Sequence, residues 1–67
     1  MFTEDTMRDY CLEIRKIERE MEEVYRRIAE NLNDPYYRNI FQALADDEKR
    51  HDETIQELLE LFAERTG

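Results

Sequence analysis

Apolar residues recur every three or four positions along nearly all of this 67-residue chain, and the pattern breaks once. The first series runs Met7, Tyr10, Cys11, Ile14, Ile17, Met21, Val24, Tyr25, Ile28 and Leu32; the second runs Tyr37, Ile40, Phe41 and Leu44, then Ile55, Leu58, Leu59 and Phe62. Such spacings are the period of an α-helix with one apolar stripe. Between the series lies Asn31-Leu32-Asn33-Asp34-Pro35, which holds the single proline. It predicts a turn, with Asp34 as N-cap and Pro35 at the first position of a second helix. Thr3 is the candidate cap of the first helix, with Glu4 and Asp5 well placed against the positive end of its dipole. The expectation is an all-α, antiparallel two-helix hairpin forming a single domain over residues 1–67. Helix one covers about 5–31, the turn 32–34, and helix two about 35–63.

The second stripe has a gap that polar residues fill. Positions 44, 48, 51 and 55 keep the helical phase, so Glu48 and His51, the only histidine, are expected to face inward. In helix one the column 11, 18, 25, 32 reads Cys, Glu, Tyr, Leu, which places Glu18 in apolar company. A hairpin folded at Asn33 pairs residues whose numbers sum to about 66. Met7 then meets Leu59, Cys11 meets Ile55, Met21 meets Ala45, Tyr25 meets Phe41, and Glu18 meets Glu48. With 18 acidic residues in the chain, Glu48-x-x-His51 means little alone. Three inward polar groups at one height mean more.

An isolated buried carboxylate costs several kcal/mol. Two at one level need protons or a cation, because Arg15 and Lys49 lie only at the edge of the stripe and Arg50 faces away. Carboxylates with one imidazole suit iron(II), with manganese(II) or zinc as possible substitutes. One hairpin supplies an incomplete coordination sphere and leaves its stripe open along roughly 40 Å of each helix. A two-fold dimer answers both problems by presenting Glu18, Glu48 and His51 twice in a four-helix bundle, enough for two irons per dimer. That is the ligand set of ferritin-like di-iron proteins. The alternative is an inward polar pair that sets helix register, with Glu18 hydrogen-bonded to His51 and no metal.

Composition narrows the field further. A chain this short has difficulty burying enough apolar surface alone, and Cys11, its one cysteine, rules out an intrachain disulfide. Cys11 is expected to be a small buried hydrophobe. Stability must come from self-association, a metal, or both. A net charge of −8 argues against nucleic acid or an anionic membrane as partner. No apolar stretch approaches the ~20 residues that span a bilayer. The acidic start, Met1-Phe2-Thr3-Glu4-Asp5, is unlike a signal peptide, so a cytoplasmic location is expected.

Glu18-x-x-x-x-x-x-Tyr25, then Asp34-Pro35 leading through Phe41-x-x-Leu44-Ala45-x-x-Glu48-x-x-His51, resembles the ferritin-like superfamily, rubrerythrins included. The chain is most similar to the encapsulated ferritins, two-helix half-ferritins that build a ferroxidase site across a dimer interface. The similarity covers roughly residues 10 to 63. It implies that Glu18, Glu48 and His51 are metal ligands and catalytic residues, with Glu48 bridging two irons and Glu18 binding terminally. It implies Tyr25 as a phenol near the site, and Glu20 as an acidic position that draws metal toward the centre. The companion carboxylate of that route is replaced here by Ile17, and Glu22, a turn beyond Glu18, is the candidate substitute. The position at Val24 is uninformative. Ring-shaped higher oligomers and an enclosing protein shell, hence a place inside a protein nanocompartment, are also implied. Arg65-Thr66-Gly67 shows no shell-addressing tail.

The expected function is oxidation of iron(II) to iron(III) at a di-iron site shared by two subunits, feeding iron storage in a separate compartment. The alternative is a non-catalytic helical oligomerisation module with a structural or adventitious metal. Peroxide reduction in the rubrerythrin manner is a third, although one cysteine cannot build a four-thiolate iron centre.

Overall fold

The computed structural model describes residues 3–66; Met1, Phe2 and Gly67, on which the readings of the two termini partly rest, lie outside them. Two helices, α1 (Glu4–Asn31) and α2 (Pro35–Thr66), form an antiparallel hairpin, with no strand among the described residues. α1 begins one residue before the expected start, because the Thr3 hydroxyl caps it, accepting from the Thr6 amide at 3.1 Å. α2 runs three residues past Ala63. Nothing between 36 and 66 breaks a helix, and Glu64 and Arg65 are good helix formers, with Arg65 well placed in the last turn.

The turn is held from both sides. The Asp34 carboxylate accepts from the Tyr36 amide at 2.9 Å, as an N-cap beside Pro35 should. α1 has no basic residue of its own in its last turn. Arg38 of α2 supplies the charge instead, donating through Nε and Nη2 to the Leu32 carbonyl at 3.1 and 2.9 Å. Tyr36 and Tyr37 stand exposed at this end in an edge-to-face pair, ring centroids 5.2 Å apart.

The seam between the helices has its own period. Cys11, Arg15, Glu18, Glu22, Tyr25 and Ala29 of α1, with Leu32 just past its end, are buried or half-buried against Phe41, Ala45, Glu48, Asp52, Ile55, Leu59 and Phe62 of α2. Ala45 and Ala29 are fully covered, and their small side chains let the backbones come close. Tyr25 packs on Phe41 with ring centroids 6.2 Å apart, the pairing that the turn position predicts. At the far end Leu59, Phe62 and Ala63 line one cleft with Glu4, Asp5 and Arg8. Cys11 is a buried free thiol, as expected of a small hydrophobe.

A second stripe is left open. Met7, Tyr10, Ile14, Ile17 and Val24 of α1, and Tyr37 and Ile40 of α2, are exposed, Ile17 to 55%. On each helix this stripe lies about a quarter-turn from the seam, in the same rotational sense. Antiparallel helices turn in opposite senses, so the two stripes open on one side of the hairpin. The molecule measures 49 × 17 × 16 Å. Its accessible surface of 5446 Å² exceeds by roughly 900 Å² what a compact protein of 8.3 kDa exposes. No helix among the described residues is long and apolar enough to cross a membrane.

Candidate metal centre

Halfway along the seam the apolar contacts give way to three polar groups. Glu18 comes from α1; Glu48 and His51 come from α2, one turn apart on one side of the helix. One ligand atom from each lies within 4.8 Å of the other two. Two donors about 2.1 Å from a shared ion stand roughly 3–4 Å apart, so small side-chain rotations would close the set on a cation.

The three differ in environment. The Glu18 side chain is 17% exposed, and its Oε2 is buried with no hydrogen-bond partner. His51 Nδ1 stands 3.9 Å from that oxygen. The imidazole is 60% exposed, at the edge of the seam where the open apolar face begins. Glu18 and Glu48 thus lie in the seam, whereas within one hairpin His51 faces outward. Burial pushes the Glu18 carboxyl above its ordinary range; His51 pulls it down, and Glu48 and Asp52 push it up further. An orphaned, partly desolvated carboxylate oxygen beside a second carboxylate and an imidazole fits a divalent cation, which would supply the missing partner. Glu18, Glu48 and His51 are the residues that would hold it.

This arrangement has a cost without metal. With its pKa raised on folding, Glu18 binds more protons in the folded than in the unfolded chain between the two pKa values. Metal-free protein therefore loses stability as pH rises through that interval, which starts at the ordinary glutamate value of about 4.3. Glu18→Gln is expected to raise the melting temperature of metal-free protein at neutral pH, with an advantage that shrinks as pH falls toward that value. Melting curves of both proteins across this range check the point; a native chain that is the more stable at neutral pH would contradict it.

The other candidate residues stand apart from the three. Tyr25 lies in the seam against Phe41. Glu20 is exposed, on a shallow groove with Leu12, Arg15, Lys16, Arg19 and Glu23. Glu22 is half-buried and engaged by Arg26, whose Nη2 lies 2.8 Å from Oε2 and which also reaches Asp46 across the hairpin at 3.2 Å.

Asp52 is the charged neighbour of the cluster that sequence reading missed. Its carboxylate accepts from Arg15 Nε at 2.9 Å and from Arg19 Nε at 3.3 Å. Burial pushes this carboxyl up, but the two guanidiniums outweigh it and hold it below its ordinary value. The signal was present: 45, 48, 52, 55, 59 is a helical column as regular as 44, 48, 51, 55. The two columns share Glu48 and Ile55, so the apolar period alone does not separate them.

Residues 6–64 match the rubrerythrin family. The chain belongs to the rubrerythrin family. Comparison with curated proteins and with solved structures finds no match. Membership gives this rubrerythrin-family chain a coarse function, that of an iron-binding, ferritin-like protein from a group whose members are often oxidoreductases. The matched span contains nearly all of both helices and all three residues of the cluster.

Proposed function

We propose that two copies of this chain pair through their open apolar faces and oxidise iron(II) at a di-iron centre built from Glu18, Glu48 and His51 of each. The observation that carries the reading is the buried, unpartnered Glu18 Oε2, in a half-complete donor set that borders an uncovered apolar face. The excess of accessible surface is close to the ~800 Å² that each partner contributes to a standard interface. A second hairpin laid on this face covers Ile14, Ile17 and Val24 and brings a second set of three donors to the first.

Iron(II) is the substrate: two ions each give up one electron, and an oxidant of the dioxygen or peroxide class takes the pair with the protons it needs. Four carboxylates and two imidazoles are an anionic set that favours the higher charge of iron(III). In this reading Glu48 bridges the two ions, Glu18 binds terminally, and Tyr25 is a phenol near the site. Glu20 and Glu22 are the acidic positions on the metal's way in, with Glu22 first having to leave Arg26. Within the family the reading leans to the encapsulated-ferritin subtype, with ring-shaped assemblies and storage of the product inside a separate protein shell. An open bundle has no cavity of its own to hold a mineral.

The test is the native protein loaded with iron(II) without oxygen, its iron content and solution mass measured, then exposed to air. One iron per chain in an even-numbered oligomer, with ferric absorbance growing faster than in buffer, is the expected result. Binding without accelerated oxidation would favour the non-catalytic module with a structural metal. A protein that neither binds iron(II) nor speeds its oxidation would overturn the reading.

A further inference from the structure

Two cations stand beside Glu18 on its own helix, and neither touches it. Arg15 lies one turn before it and Arg19 directly after it. Residues three apart on a helix are neighbours, so Arg15 has the reach to pair with Glu18. Such a pair would satisfy the orphaned oxygen and neutralise the charge that a metal needs. Instead Arg15 Nε donates to one oxygen of Asp52 at 2.9 Å, and Arg19 Nε to the other at 3.3 Å. Arg15 and Asp52 are the well-covered pair, with side chains 19% and 15% exposed. Glu18 Oε2 meanwhile keeps no hydrogen-bond partner, and His51 is the neighbour that draws its carboxyl pKa down.

We propose that Asp52 is a decoy carboxylate: by taking both guanidiniums it keeps Arg15 and Arg19 off Glu18 and leaves Glu18 free for a divalent cation. The inference rests on the metal-centre reading. An arginine competes with a metal for a carboxylate at every relevant pH, because the guanidinium never loses its charge. It also binds carboxylate strongly, with charge-assisted and often paired hydrogen bonds. A seam that needs cations for balance but a bare carboxylate for function must separate the two. Asp52 does so because it lies one turn past Glu48 on the seam column, opposite Arg15 and within reach of Arg19. It is a positioning residue, with each of its oxygens already holding an arginine.

The experiment is manganese(II) binding by titration calorimetry, at neutral pH, with melting curves of the metal-free proteins alongside. Four proteins are compared: native, Asp52→Asn, Arg15→Gln/Arg19→Gln, and the triple variant. Asp52→Asn is expected to weaken binding on the order of tenfold or more, the scale of one hydrogen bond to a charged group. Removing both arginines in that background restores affinity, although the triple variant has lost the whole cross-hairpin strap. The arginine double variant binds as the native chain does. A triple variant that binds as poorly as Asp52→Asn would overturn the proposal, since a structural strap or a direct Asp52 ligand gives that result. Native affinity in Asp52→Asn would overturn it too. No binding by the native chain would remove the metal-centre reading and the decoy with it.

Discussion

Glu48→Ala and His51→Ala are each expected to bring iron oxidation down to the rate in buffer alone and to abolish stabilisation by metal. Two-fold pairing doubles the damage, because each substitution removes two of the six donors in the proposed centre. The native protein sets the scale. A metal present at about a hundred times its Kd stabilises the folded state by ~2.7 kcal/mol. For a chain this short that is a rise in Tm on the order of 10 °C or more. Neither variant should show it. Alanine suits a helix at least as well as glutamate or histidine, so the metal-free hairpins are expected to fold. Far-UV circular dichroism and melting curves with and without manganese(II) check both halves of the expectation. A variant that keeps the metal-induced rise would remove its residue from the ligand set.

Ile14→Asp and Val24→Asp are the second pair of variants, and they address the partner rather than the ligands. Both residues lie on the open stripe, a turn or more to either side of Glu18. In a two-fold interface one substitution places two carboxylates in an apolar layer. At roughly 2 kcal/mol or more for each uncompensated charge, self-association weakens by about a thousandfold. Metal binding should fall with it, since neither variant touches a ligand but both withdraw the second half of the coordination sphere. Solution mass and manganese(II) titration on the same samples give the answer. A monomeric variant that still binds one ion per chain would show that one hairpin suffices. A dimer that persists in both variants would place the interface elsewhere.

The cluster is legible in the sequence to an unusual degree. Helical phase puts Glu48 in the seam, and the turn at Asn31–Pro35 sets which residue of α1 stands opposite. Counting back from that turn gives Glu18. The turn itself is encoded by local chemistry: Asp34 caps, Pro35 can sit only at a helix start or in a turn, and Thr3 caps the other helix. Where sequence reading fell short was in treating one broad stripe as one face. α1 and α2 each carry two overlapping columns, one for the hairpin seam and one for the open side, and these share residues such as Glu48 and Ile55. Arg15, a charged residue in the seam column, looked like an edge position, and Asp52 opposite it was passed over, because polarity usually marks solvent.

Local propensity, the apolar period and the position of the single proline were enough to determine two helices, their antiparallel sense and the height at which Glu18 meets Glu48. These are short-range properties, set by the backbone geometry of a helix and by the length of one turn. Tertiary structure alone decided how the charges pair. Arg15 is nearer along the chain to Glu18 than to Asp52, and only the seam, by bringing Asp52 to the same height from the other helix, draws the guanidinium away. It also decided that His51 stands at the border of the seam and the open face, where an imidazole can serve a site shared with a second chain. The rotation of one helix against another depends on which side chains fit between them, Ala29 and Ala45 among them, and that fit involves residues far apart in the sequence.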